Sequence, residues 1–225
     1  MPAKISIVIP TLNAETALQQ CLEALMEGLS EGLIRELIIS DGGSNDATMQ
    51  IAEAAGAKIV TGPASRGGQL QRGCAAARGD WILVLHADTV LSRGWATVVN
   101  DHINNSEQGA YFRLKFRASG LGALWVAGWA NLRSQVFSLP YGDQGLLVRR
   151  ADYEGAGGYP DQPLMEDVAL VRALPPLVGL SVKATTSADR YQRAGWVRRG
   201  ARNLWTLLRY FAGVSPEKLA QAYRR

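Results

Sequence analysis

Apolar positions follow two different periods along the first hundred residues, and the change from one to the other marks the elements. "KISIVIP" (4–10), "ELIIS" (36–40), "AKIVTG" (57–62) and "WILVL" (81–85) are short, nearly continuous apolar runs. Such runs predict strands covered on both faces. Between them the spacing becomes three and four: Ala17, Cys21, Leu25 and Met26 predict a helix over 16–27, with further helices over 48–55 and 69–77. Four strand–helix alternations with short loops predict a parallel, doubly wound α/β sheet of Rossmann-like type. After Asp101 the pattern changes. "AYFRLKF" (110–116) and "QGLLVRR" (144–150) read as strands of a mixed sheet, followed by a Pro/Gly-rich stretch (155–163), a helix from Met165 and two basic helical segments. Without repeats or a low-complexity linker, the chain reads as one domain over 1–225, with a first half (1–100), a second half (101–185) and a basic helical tail (186–225).

Composition narrows the class. With 225 residues, 47% hydrophobic and 20% charged, the chain is long enough for one sizeable core. Cys21 and Cys74 stand far apart with no CxxC spacing, which argues against a disulfide framework or a zinc site and for a reducing compartment. "MPAKISIVIP" enters a strand at once and leaves no room for an export signal, so a cytoplasmic location is expected. The longest uncharged apolar stretch, 118–132, falls short of the roughly 18 to 20 residues of a membrane span. The net charge of +4 hides an asymmetry: from Thr186 onward nine Arg or Lys face only Asp189 and Glu217, so the remainder is near −3. On a helical wheel Val197, Ala201, Leu204, Leu208 and Phe211 form a stripe, with Arg198, Arg202 and Arg209 beside it and Trp205 between. Two readings of that helix stand side by side: it lies peripherally on the inner face of an anionic membrane, or it packs on the core.

The chemistry sits at strand ends. In "DWILVLHADTVL" the buried run passes directly into His86, Ala87 and Asp88, at the carboxyl edge where open α/β sheets bind ligands. Asp41 follows "LIIS" in the same way; Gly42 and Gly43 allow close backbone approach, and Ser44 or Asp46 can cap the next helix. A plain strand-to-helix turn would look the same. Arg66 beside two glycines suits an anion, although those glycines also suit close helix packing. Glu166 and Asp167 open a helix after Pro163, where the helix dipole alone would favour acids.

"SIVIPTLNAETAL", "IISDGGSNDAT", "LVLHADTVL", "YGDQGLLVRR", "GGYPDQPLMEDVAL" and "GVSPEKLAQAY", in that order, resemble the nucleotide-sugar-dependent glycosyltransferases of family 2, in particular a bacterial subgroup of small single-domain members. The resemblance covers nearly the whole chain. It implies the GT-A fold, with 1–100 as the nucleotide-binding half and 101–185 as the acceptor-side half. It also implies inverting transfer from a nucleotide-diphosphate sugar, UDP-sugars being favoured, with Mn²⁺ or Mg²⁺. Pro10, Thr11, Asn13 and Glu15 then border the nucleotide, Asp41 meets the base, and Arg66 and Gln69 belong to the donor side. Asp88 matches the last acid of the metal-binding D-x-D motif. His86 stands where many members carry Asp and is a second candidate ligand. Asp143 and Gln144 contact donor sugar or acceptor, Arg190 the diphosphate, and Asp167 is the general base with Glu166 as the less favoured choice. Asp189 and Tyr191 depart from the family's Arg-Arg-Trp. The acceptor is unspecified, with a lipid-linked compound suggested by the tail. A nucleotidylyltransferase would carry a Gly-rich basic phosphate loop after the first strand, which "PTLNAETAL" lacks. For a non-catalytic nucleotide or nucleic-acid binder, Asp41, Asp88, Glu166 and Asp167 would repel phosphates without a cation, so no nucleic-acid partner is expected.

Overall fold

The computed structural model describes residues 3–224. The first half alternates β1 (Ile5–Thr11), α1 (Glu15–Ser30), β2 (Ile34–Asp41), α2 (Thr48–Ala54), β3 (Lys58–Thr61), α3 (Arg66–Ala75) and β4 (Trp81–Val84). A two-residue β5 (Val90–Leu91) and α4 (Trp95–Asn105) lead to β6 (Ala110–Phe116), α5 (Leu121–Phe137), β7 (Leu146–Arg149), α6 (Arg150–Gly155), α7 (Glu166–Ala173) and β8 (Val178–Thr186). The chain closes on α8 (Asp189–Ala194), α9 (Trp196–Phe211) and α10 (Pro216–Arg224). Among the described residues no helix is long and apolar enough to cross a membrane.

One sheet runs through both halves in the order β3-β2-β1-β4-β7-β6-β8-β5. β1 to β4 are mutually parallel, as the continuous apolar runs predicted. Alternation within those runs feeds two cores. Ile7, Ile9 and Leu83 face Leu18 and Trp95 on the α1/α4 side, whereas Val8, Ile38 and Ile82 face Leu70 and Cys74 of α3. The close approach of α3 rests on Gly73, where a methyl would lie 2.5 Å from Val8 Cγ1. The chain turns right of β1 to make β2 and β3, then returns to place β4 on its left. That reversal opens a crevice at the carboxyl ends of β1 and β4, the general ligand position in such sheets.

The second half departs from simple winding in one way that matters. β7 is antiparallel to β4, with Leu146 opposite Val84. The short 3-10 turn at Gly142–Gln144, which precedes β7, is therefore delivered to the edge where β4 ends. β6 was predicted with its observed bounds, and β7 is two residues shorter at its start. The expected helix over 69–77 begins earlier, at Arg66, because Ser65 Oγ caps it by accepting from Gly68 N–H.

Candidate active site

Two strand-end loops are tied together residue by residue. Asp41, buried at the end of β2, accepts from Thr11 Oγ1 at 2.9 Å and Ser44 Oγ at 2.6 Å on one oxygen, and from the N–H groups of Gly43 and Ser44, both at 2.7 Å, on the other. Burial alone would raise its pKa; these bonds, Ser44's foremost, hold it below the ordinary value instead. Asn13 is in the left-handed region (φ 49°), and it crosses to the second loop by donating its N–H to Ser44 Oγ (2.8 Å) and accepting from Asn45 N–H (2.9 Å). Glu15 does likewise, donating its N–H to Asp46 and accepting from Ala47 N–H. Asp46 also accepts from Thr48 N–H at the start of α2 (3.0 Å), from one residue before the N-cap Ala47, whereas Ser44 makes no bond to that helix end.

The second cluster gathers where β4, the 3-10 turn, α3 and α7 meet. A methyl on Gly142 would lie 2.6 Å from His86 Nε2 and 3.7 Å from Asp167 Oδ2, which places imidazole and carboxylate together over the open face of that glycine. Gly142 N–H donates to Asp167 Oδ2 at 2.9 Å, and Asp167 Oδ1 accepts from Val168 N–H at 2.8 Å. Glu166 lies behind it, only 3% exposed, with Oε1 3.2 Å from Arg66 Nε and Oε2 buried without a partner. Burial, then the Asp167 charge, raises the Glu166 pKa to about 7, against the pull of Arg66. Asp143 is the other strained acid. Its Oδ1 is buried without a partner, and burial raises it to about 6 despite Arg133, with the charges of Asp167 and Asp88 adding to the rise. For His86, burial and then Arg66 lower the pKa, against Asp88 and Asp167. The chain enters α7 through Met165, a non-glycine residue at φ 64° and ψ 20°. Such a conformation costs about 1 kcal/mol or more and is retained here directly before Glu166 and Asp167.

The residues expected from sequence divide into those that line the crevice and those that hold it. Asp88, Ala87, His86, Asp143, Asp167 and the partly exposed Arg66 surround it, Pro10 at the end of β1 and Glu15 at the start of α1 flank the first loop, and Arg190 is exposed on α8. Two glutamines behave differently from expectation. Gln69 is buried and its Nε2 donates to the backbone oxygens of Thr11 (2.7 Å) and Ser40 (3.1 Å), clamping β1 to β2. Gln144 is fully buried beneath the turn, accepting from Ser134 Oγ at 2.7 Å and Arg133 Nη2 at 3.3 Å while donating to the Phe112 carbonyl. The Gln69 amide nitrogen is committed to the strand-end carbonyls and the Gln144 amide to the α5 donors and the Phe112 carbonyl. Sequence reading passed over Arg133. Its guanidinium is buried 3.5 Å from the centre of the Tyr141 ring and donates to the Leu139 carbonyl, and a lone charge in the otherwise uncharged 118–137 segment was the available signal. A small groove lies between α5 and α9, lined by Trp129 and Leu204 together with Tyr141, Asp143 and Tyr191.

Comparison with known proteins agrees with this architecture. The family model "Glycosyl transferase family 2" matches residues 6–143. Glucosyl-3-phosphoglycerate synthase of Mycolicibacterium smegmatis is 37% identical over 95 residues, covering 38% of this chain and 31% of the relative. A PGL/p-HBAD biosynthesis glycosyltransferase of Mycobacterium bovis is 34% identical over 93 residues, covering 38% and 36%. These matches span about a third of the relatives' own length. Among solved structures, glucosyl-3-phosphoglycerate synthase of Mycobacterium tuberculosis with Mg²⁺ and UDP superposes with a TM-score of 0.58 at 20% identity, covering 90% of this chain and 78% of that one. S. aureus TarS 1-349 in complex with UDP gives 0.59 at 17%, covering 84% and 62%. The structural likeness is one of fold, the GT-A fold expected from the motifs. With the family model covering more than half of its length and this fold beneath it, the chain belongs to glycosyl transferase family 2.

Proposed function

We propose that the protein transfers a sugar from a UDP-sugar to an acceptor hydroxyl with inversion at the anomeric carbon. The observation that carries this reading is the meeting of Asp88, Asp143 and Asp167 with His86 and Arg66 at the crevice, where Asp143 Oδ1 is buried without a partner. Unpaired buried carboxylate oxygens are costly unless something charged completes the site. A divalent cation fits. Among the described residues no group of three or more His, Cys, Asp or Glu is arranged to hold a metal unaided. That suits Mg²⁺ or Mn²⁺ bound by one or two protein carboxylates and completed by diphosphate and water. Asp88 is assigned as the ligand and His86 as the candidate second one. Bound there, the cation supplies neutralisation of the departing diphosphate. The structural relatives support the choice, having been crystallised with Mn²⁺, UDP and phosphoglyceric acid in one case and UDP-GlcNAc in another.

On this reading the two knitted loops form the nucleoside side. Asp41 anchors them, and a base N–H would reach its carboxylate only by displacing one of the two hydroxyls. Arg66 and Arg190 provide positive charge near the diphosphate. Asp167 is the proton acceptor: Gly142 N–H orients it, and it is more accessible than Glu166, which is buried against Arg66. A pKa near 7 is also suited to a general base, so Glu166 remains the competing choice. The acceptor is assigned to the lipid-linked class, a reading supported by the aromatic and apolar side chains of Trp129, Leu204 and Tyr191 that line the small groove beside Asp143. The test is a thermal-shift screen of nucleotide sugars with and without Mn²⁺, since a ligand bound to the native state raises its apparent stability. UDP-sugars with Mn²⁺ should stabilise the wild type and not Asp88→Ala; an equal, metal-independent shift in both would refute the assignment.

A further inference from the structure

α5 is apolar on both faces. Its packed face sets Ala123, Val126 and Ala130 against Leu114 and Phe116, and carries Asn131, Arg133 and Ser134, which hydrogen-bond the Leu114 backbone, the Leu139 carbonyl and Gln144 respectively. Its solvent face carries Leu124 (70% exposed), Trp125 (64%), Leu132 and Val136, with Gln135 as a polar exception. A helix on a globular core normally keeps its large apolar side chains on the packed face and polar ones outside. α9 lies alongside, with Trp196 close against Gly122 of α5. It is held by the buried Thr206 and Leu207, and by Asn203 through Tyr191 and Tyr223. The apolar stripe read from the sequence therefore points outward: Val197, Leu208 and Trp205 (62%) are exposed, with Arg198 exposed and Arg209 half-buried beside them. Contiguous exposed apolar surface of this kind on two neighbouring helices marks an interaction site.

We propose that α5 and α9 form a face by which the protein docks on an anionic lipid bilayer. For its purpose this rests on the lipid-linked acceptor reading. Charge decides between occupants. The segment from Thr186 onward carries nine Lys or Arg against two acids, and anionic headgroups complement an arginine border around an apolar surface. A second copy of the chain, packed face to face about a two-fold axis, would set the same arginines against one another. Tryptophans fit the headgroup boundary, where an apolar ring and a polar N–H are both satisfied. The small groove between the two helices has Tyr141 and Asp143 in its lining, so a membrane held against α5 and α9 would bring a lipid-linked acceptor beside Asp143.

The test is co-sedimentation of the full chain with vesicles of phosphatidylcholine alone and of phosphatidylcholine with phosphatidylglycerol. Wild type should bind the anionic vesicles in a salt-sensitive manner. W125Q/L132Q/V136Q, all outside the groove, should lose more than about tenfold in partitioning. R198Q/R209Q should lose about fivefold for each arginine, on anionic vesicles only. Unchanged circular dichroism and an unchanged UDP/Mn²⁺ thermal shift would show that the variants are folded. Equal binding by wild type and the triple variant, or no salt-sensitive binding, would overturn the proposal. So would a wild-type dimer dissolved by the triple variant, which would assign the face to a second copy. Vesicle binding needs no donor, so a missing UDP shift in wild type would remove the donor reading and leave the docking face standing.

Discussion

Replacing Glu166 by glutamine should alter how stability depends on pH, in a direction fixed by its surroundings. The carboxyl is buried, one oxygen facing Arg66 and the other unpaired, and burial together with the Asp167 charge raises its pKa from 4.5 to about 7. A raised acid pKa means that the native state keeps a proton which the unfolded chain has already released. Its contribution is complete below the unfolded value and is lost as pH rises through the native one. At about 1.4 kcal/mol per unit, the loss between 4.5 and 7 is on the order of 3 kcal/mol. The amide in Glu166→Gln does not ionise, so the variant should gain on wild type by that order as the buffer moves from about pH 4.5 to about pH 8. Urea unfolding at the two pH values, with unchanged m-values, measures it. Parallel pH dependences in the two proteins would refute the reasoning, because Glu166 would then be ionised in the native state at the same pH as in the unfolded chain.

Asp41→Asn replaces an oxygen that accepts two backbone N–H groups with an amide, and should cost roughly 3 kcal/mol or more in chemical denaturation. Because the Asp41 pKa is held low, its contribution exists above 3.8 and disappears as pH falls through the native value. The variant should accordingly lose less stability than wild type on acidification below 3.8. Gly142→Ala places a methyl 2.6 Å from His86 Nε2; it should destabilise by about 1–3 kcal/mol, measured by urea unfolding, and lower sugar transfer by displacing the turn that orients Asp167.

How much of this was legible depended on whether a residue's partner was local. β1, β2 and β4 could be read because their apolar runs are covered on both faces, and Asp41 and Asp88 stood out by following such runs directly. β8 was missed although Leu180, Val182 and Ala184 alternate with exposed residues, since small and hydroxyl side chains dilute that pattern. α5 could not be read from amphipathicity, because apolar side chains line both its packed face, at Ala123, Val126 and Ala130, and its solvent face, at Leu124, Trp125 and Leu132. Gln69 and Gln144 looked like ligand contacts from their places in the motifs. Their partners within the chain, the Thr11 carbonyl and the Ser134 hydroxyl, are brought close by tertiary packing. The tail was legible in composition but not in orientation: only the packing of α9 through Leu207 and Asn203 shows which face is outward.

Sugar transfer by Asp167→Asn, measured beside its affinity for UDP with Mn²⁺, tests the central claim most directly. The amide keeps the shape of the carboxylate and can still accept from Gly142 N–H through its oxygen, yet cannot take a proton from the acceptor hydroxyl. Transfer should fall by roughly 10²-fold or more with donor affinity little changed. Near wild-type transfer in Asp167→Asn together with loss in Glu166→Gln would move the base to Glu166, and near wild-type transfer in both would contradict the inverting scheme built on this pair.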